Sequence, residues 1–595
     1  MNIKTLFGLT IAASAMASCS VEEQELPAEE LYTREFYKAF GTVDKNQDWN
    51  VVEQKSITVS TAKAAHVKVY ELQGDEYRLA ADYDNVTNGQ TITFDGTEGD
   101  DTPFLVSIDD LMLSAKNGET VGFSSAVSRA KRTSAIPTDS KVVTAAQEQT
   151  QITLIGKSED NTLTSLADDG KDHTSNVSLG DKFMQTATTT PHTIYPVYRN
   201  SEKKHTLGVY YVDKKSPEIH LVPFYSDDND EDIKYYFTPK TDGTAPEGAE
   251  AGYKASTGKN CAALDGYTVD TSKGLMSTGY SINLTEGTVF GLYVKIGDNI
   301  YYSDASLNGG KKYFGYHTYR YNDSSSDTKA ATYLMFDDPG DNGADGDGDF
   351  NDLVLYIPEK LTPITNQELG WTVAVEDLGG LFDFDFNDLV FRVYHTSGYE
   401  YVTIYPLAAG GTLPAYLCYN DGDLTVKTDE WHTFFGDGYP STTMINTSQI
   451  NTKNNTAITI TGVPQQFSMT KFATKKNDAG FFSVEVYKDG ELSQESSEKK
   501  PTTIYGPTPS TTNPCVPQLL VLPVDWAWPK ELVNIKNVYT GGTKDGTTYP
   551  SFEQWAKNVD QNKSWTGYHT DDVLNIDQEY STFKKTKQYP QKTNN

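Results

Sequence analysis

Twice in this chain a run of carboxylates stops abruptly at a stretch of apolar, strand-forming residues. The first copy reads Asp347-Gly-Asp349-Phe-Asn351-Asp352-Leu-Val-Leu, and the second Asp383-Phe-Asp385-Phe-Asn387-Asp388-Leu-Val-Phe. With Asp352 set on Asp388 the period is 388 − 352 = 36 residues. Each copy follows an acidic pair that ends an apolar run: Asp337-Asp338 after Phe336, and Glu376-Asp377 after Val375. Leu353-Val-Leu-Tyr-Ile357 then reads as a buried strand stopped by Pro358. A chain patterned this way must hold dense like charge at the rim of a β core. Carboxylate and amide oxygens at that density repel one another unless a hard cation or water sits among them, and oxygen-only donor sets suit calcium.

The candidate ligands are Asp337, Asp338, Asp347, Asp349, Asn351 and Asp352 around the first copy, and Glu376, Asp377, Asp383, Asp385, Asn387 and Asp388 around the second. Calcium takes six to eight oxygens, so not all can bind. Alternation through Asp383–Val393 places Asp383, Asp385 and Asn387 on one face, continued by Leu389, Phe391 and Val393. It turns Asp352 and Asp388 away, toward capping backbone N–H groups. An EF-hand is excluded. Counted from Asp345, its sixth and twelfth positions would be Phe350 and Tyr356 rather than Gly and Glu. The competing reading is a solvated acidic turn, because Asp, Asn and Gly favour turns for backbone reasons alone. Duplication of the same order of Asp, Asn and aromatic residues favours the metal.

Lys4 and the apolar run Leu6–Ala17 suit a signal peptide, the run being too short to span a bilayer. It ends Met16-Ala17-Ser18-Cys19, which resembles a bacterial lipobox with Met in place of the usual Leu. Cys19 is the expected lipidation site, anchoring the chain in an outer membrane, and an ordinary secretory cleavage near Ala17 is the alternative. Ser20-Val21-Glu22-Glu23 resembles the surface-export signal of Bacteroidetes lipoproteins. The chain carries a net charge of −32 with a pI of about 4.6, which excludes nucleic acid as a partner. Aromatic residues reach 12%, with 38 Tyr, so the chain is not disordered and offers stacking surfaces to sugars or proteins. Without Cys19 the cysteines are Cys261, Cys418 and Cys515. An odd set cannot pair completely, and a Cys418–Cys515 bridge stays open.

The pattern predicts a mainly β, multidomain chain of β-sandwich or jelly-roll-like modules with few short helices. Residues 1–18 read as the lipoprotein signal peptide and 19–30 as an acidic tether. Residues 31–135 read as a helix, Glu29–Phe40 stopped by Gly41, plus a β-sandwich. Within it, Ile57–Val59, Val67–Val69 and Thr91–Phe94 alternate with period two, with turns at Asn88-Gly89 and Asp95-Gly96. The triplet Asp44, Asn46 and Asp48 has the look of a cation loop, but an ordinary turn is the favoured reading. Residues 136–204 are Thr/Ser/Asp-rich and weakly patterned. Residues 205–358 form a β domain ending in the first acidic copy, with strong strands at Gly208–Val212, Val289–Ile296 and Ile300–Tyr302. Asp227–Asp232 reads as a solvated loop. A last β domain, 365–585, opens with the second copy and closes with an aromatic unit holding a short helix near Phe552–Trp555.

Residues 371–565 resemble the LruC-type C-terminal domain of exported bacterial proteins. The likeness rests on Val375-Glu-Asp377 with Asp385-Phe-Asn-Asp388, Pro406-Leu-Ala-Ala-Gly-Gly-Thr-Leu-Pro414, Trp431-His-Thr-Phe-Phe-Gly436 with Met444-Ile-Asn446, and Trp526-Ala-Trp-Pro-Lys-Glu531 with Phe552 and Trp555. Gly287–Val354 resembles a related exported β domain through Phe290-Gly-Leu-Tyr293, Tyr301-Tyr-Ser-Asp304 and Leu307-Asn308. The lipobox, the acidic tether and Phe40–Trp49 together resemble a Bacteroidales surface lipoprotein. These resemblances imply location and fold class and supply no catalytic residues.

The function expected is a surface lipoprotein acting as a calcium-stabilised binding module for an extracellular glycan or protein. The alternative is a structural subunit of a surface or fimbria-like assembly. A glycan-active enzyme carries least weight: paired acids are too plentiful to single out two, and no Gly-x-Ser-x-Gly or His-Glu-x-x-His occurs. His395 and His432 read as surface or core polar residues rather than bases.

Overall fold

Up to residue 322, the computed structural model describes residues 28–123 (apart from 48, 50 and 75), 132–133, 145–152, 182–198 (apart from 191), 201–226 (apart from 202 and 215), 234–236, 253–254 and 275–322 (apart from 283). Beyond that it describes 328–340, 346, 348, 350, 352–357, 362–378, 382–421, 424–445 (apart from 437, 438 and 441), 456–471, 481–487, 501–504, 516–538, 552–560, 565–566, 573–574, 583 and 585–590.

Strands dominate, as the alternation predicts. The α-helices among the described residues are short: Ala28–Phe40, Ile535–Val538 and Phe552–Lys557. The N-terminal helix follows from spacing. Tyr32, Phe36 and Phe40 recur every four residues, so all three fall on one face, and all three are buried. Gly41 ends it at φ 80°, returning its N–H to Tyr37 O at 2.9 Å. The short helix at Phe552–Lys557 also forms where the sequence places it.

The largest sheet has eleven strands. Pro363–Glu368 lies inside it, parallel to Glu76–Val86 on one side and antiparallel to Lys182–Thr186 on the other. One hydrogen-bond ladder thereby joins strands of the first and second β regions through the segment that leads into the third. Two further sheets carry the acidic copies. An eight-stranded sheet contains the first hairpin, Thr328–Phe336 with Leu353–Ile357. A six-stranded sheet contains the second, Gly370–Val375 with Leu389–Tyr394.

Two local expectations need correction. Asp95-Gly96 is not a turn, since both residues lie within the strand Thr91–Thr97. Gly96 is needed there for close approach, because a Cβ would stand 2.6 Å from the Lys55 side chain and 2.8 Å from Glu71 Oε1. Asp95 is buried and accepts Met469 N–H at 2.7 Å and the Ser468 hydroxyl at 2.5 Å. Alternation through Asp383–Val393 also fails, because regular strand begins only at Leu389. The Asp44 region is a turn, with Asn46 N–H on Asp44 Oδ1 at 2.9 Å. Cys418 carries a free thiol pushed up to about 12 by burial. Cys515, Asp48 and the run Asp227–Asp232 lie outside the described residues.

Candidate metal centre

The two acidic copies are built alike. In each, a strand runs into the acidic pair, and the last Asp of the motif leads into the antiparallel partner. Phe336 pairs with Leu353 in the first hairpin, and Val375 with Leu389 in the second. Asp352 Oδ2 accepts Asp338 N–H at 2.5 Å, and Asp388 Oδ2 accepts Asp377 N–H at 2.7 Å. The last acid of each motif thus closes the loop by capping a backbone N–H. The backbone also repeats: Gly348 and Phe350 have φ of 80° and 54°, and Phe384 and Phe386, 36 positions on, have 55° and 52°. A non-glycine residue at positive φ costs of order 1 kcal/mol, so the surroundings must enforce it.

In the second copy those surroundings are aromatic. Phe382, at φ 50°, adds a third such residue, so left-handed phenylalanines alternate with Asp383, Asp385 and Asn387. Phe384 packs at 5.3–5.5 Å against Tyr32, Phe36 and Phe40 of the N-terminal helix. Phe386 reaches Phe552 at 6.1 Å. With the rings drawn into the core, the intervening acids converge elsewhere. Ligand oxygens of Glu376, Asp383 and Asp385 lie within 4.8 Å of one another. Glu376 and Asp383 border a pocket of about 130 Å³ also lined by Asp377, Asp388, Glu531, Gly410 and Gly411.

Backbone donors hold the acids in place. Phe386 N–H bonds Glu376 Oε1 at 2.8 Å, and Leu532 N–H bonds Asp385 Oδ2 at 2.8 Å. Asn387 is fully buried; its amide nitrogen donates to Pro529 O at 3.2 Å, while its Oδ1 accepts no hydrogen bond. Gly410 and Gly411 thread between the oxygens. A Cβ on Gly410 would overlap Asn387 Oδ1 and stand 3.0 Å from Glu531 Oε2, and one on Gly411 would stand 2.7 Å from Asp377 Oδ2. His432, buried, supports this turn with Nε2 3.1 Å from Gly411 O and Nδ1 2.6 Å from Glu430 Oε1.

Crowding shows in the electrostatics. Burial, reinforced by repulsion from Asp388, Asp385 and Asp383, pushes Glu376 well above the carboxylate range. Burial, then Asp383 and Glu531, push Asp385 up to about 8. Asp388 is raised well above its ordinary value by burial and by Asp377 and Asp385, and Asp383 is raised by burial. Such groups must hold protons or share a cation.

Of the expected ligands, the fold gathers Glu376, Asp383 and Asp385 most tightly, with Asp377 and Asp388 on the same pocket. In the first copy Asp337 Oδ1 accepts Gly348 N–H at 3.2 Å. Asp338 is engaged by protein donors: His205 Nε2 at 2.8 Å on one oxygen and the Ser201 hydroxyl on the other. Burial alone would raise its carboxyl, but these hydrogen bonds and the His205 charge hold it below the ordinary value. Asp347, Asp349, Asn351 and Cys19 lie outside the described residues. Sequence reading missed Glu531, although it stands in the quoted Trp-Ala-Trp-Pro-Lys-Glu run, and missed the part played by Gly410-Gly411. His395 and His432 are both buried. No protein-family model matches this chain, and neither a curated protein nor a solved structure matches it.

Proposed function

We propose that this chain is a calcium-stabilised binding module displayed at the cell surface as a lipid-anchored protein, an adhesin or a glycan- or protein-binding lipoprotein without catalysis. The observation that carries the reading is the convergence of Glu376, Asp383 and Asp385 within 4.8 Å, beside a buried amide oxygen that accepts no hydrogen bond. The donors are all hard oxygens, the set calcium prefers over zinc or copper. The lipobox-like Met16-Ala17-Ser18-Cys19 supports the location. Among the described residues no helix is long and apolar enough to cross a membrane. Loops carried on a rigid β scaffold are the usual place for binding, and this scaffold is rich in Tyr.

Calcium bound to the folded state alone adds about 2.7 kcal/mol at a hundredfold excess over Kd. The full chain purified in calcium should therefore retain the ion and lose melting temperature in EGTA, and Asp385→Ala should remove most of that response. A glycan and host-protein screen run with calcium and with chelator then reads the ligand. No retained calcium and an identical melting curve in chelator would return the loop to a solvated turn.

A further inference from the structure

The second acidic copy is crowded beyond what one divalent ion can neutralise. Glu376, Asp377, Asp383, Asp388 and Glu531 all line the one pocket, and Asp385 stands within ligand reach of Glu376 and Asp383. The oxygens fall into two groups. Glu376, Asp383 and Asp385 converge within 4.8 Å. On the other side, Asn387 Oδ1 and Glu531 Oε2 face the same small volume, the one a Gly410 side chain would fill. Asn387 is fully buried and this oxygen accepts no hydrogen bond. Leaving a buried amide oxygen unmatched is costly, so its placement against a bare glycine points to a ligand. Asp385 links the groups: the backbone N–H of Asn387, two residues on, and that of Leu532, next to Glu531, donate to its two oxygens at 3.3 and 2.8 Å and leave lone pairs on both.

We propose that this loop holds two divalent cations: one on Glu376, Asp383 and Asp385, and a second on Asn387 Oδ1 and Glu531, with Asp385 shared. The inference rests on the calcium reading above. The second ion ties the loop to the Trp526–Leu532 segment, whose Pro529 O and Leu532 N–H already bond Asn387 and Asp385.

The test counts ions. The full chain is stripped with EGTA and retitrated with calcium chloride, and bound calcium per chain is read by native mass spectrometry and calorimetry. Glu531→Gln and Asp383→Asn are near-isosteric, and circular dichroism checks that each folds. Each should lose one calcium per chain relative to the unsubstituted protein, and the double variant should lose two. An unchanged count in Glu531→Gln, or a double variant that loses no more than Asp383→Asn alone, overturns the second ion while leaving the calcium reading intact. A chain that binds no calcium at all overturns both. Asn387→Asp, which adds charge to the second group only, should tighten the weaker binding step, and loosening of that step also counts against the proposal.

Discussion

Gly410 is where the candidate centre is most exposed to a single substitution. Its backbone N–H bonds Asn387 O at 3.0 Å, and the space its missing side chain leaves is shared by two acceptor oxygens. Gly410→Ala should cost about 1–3 kcal/mol by overpacking and weaken the melting response to calcium. Thermal scans with calcium and with EGTA check this; a variant as calcium-responsive as the parent would show that the space is not part of the site. His395 offers a test away from any metal. Its ring is buried against Phe467 at 5.2 Å, Nδ1 lies 3.0 Å from Tyr401 O, and burial lowers the ring's pKa from 6.5 to about 4. A depressed folded-state value means that the neutral ring's contribution is present above pH 6.5 and is lost as pH falls toward 4, by about 3 kcal/mol at full extent. His395→Asn keeps a donor near Tyr401 and removes the titration. Urea unfolding at pH 7 and pH 4.5 should give a smaller difference for the variant than for the parent; equal differences would remove His395 from the acid limb.

At the scale of elements, the N-terminal helix is the outer wall of the acidic loop. Tyr32, Phe36 and Phe40 cover Phe384, and the Tyr32 hydroxyl bonds Pro517 O at 2.6 Å. Burial, then the nearby Glu376 and Asp388, raise the Tyr32 phenol well above its ordinary range, which places it beside the acids. Phe36→Ala should cost about 3–5 kcal/mol, as aromatic truncations in cores do, and should also lower calcium affinity, because Phe384 loses the contact that fixes its left-handed backbone. Calorimetric titration separates this from plain destabilisation: unchanged affinity in the folded variant would uncouple helix and loop. How much was legible follows from the range of each interaction. The helix, its Gly41 stop and the strands flanking both copies were readable, since spacing and alternation are local; the capping by Asp352 and Asp388 is as expected, although the alternation it was argued from does not run through the second motif. The loop between Phe382 and Asp388 was not readable. Phe-Asp-Phe-Asp-Phe alternates like a strand, and the left-handed phenylalanines are held by tertiary contacts that no local pattern marks, Phe384 by a helix some 340 residues earlier in the chain and Phe386 by Phe552. Glu531 was missed for the same reason: nothing local marks an acid that reaches the loop through the tertiary fold.

Across the whole molecule, one buried apolar cluster runs from Tyr32 and Trp49 through the strand Val52–Ser60 to the second hairpin and on to Phe552 and Trp565. Trp49 stacks on Phe552 at 5.6 Å and meets Trp555 edge-on at 5.6 Å. Early and late parts of the chain therefore share a core, and the candidate centre sits on its rim. A cation that orders the loop should stabilise this core through Phe384 and Phe386, whose rings are the loop's own contribution to it. The net charge of −32 supplies a rival explanation, because any added divalent salt screens self-repulsion over the entire surface. Hydrogen exchange by region separates the two. Chelation should speed exchange in Ala28–Phe40, in Gly370–Val375 with Leu389–Tyr394, and around Ile535–Val538, whose first N–H bonds Phe384 O at 2.9 Å. It should change Lys182–Thr186 and Val289–Ile296 far less, because these strands pair with each other, and the first with Pro363–Glu368, rather than with the second hairpin. Equal acceleration in both groups, reproduced by matched ionic strength without calcium, would mean that surface charge rather than a built site governs the response.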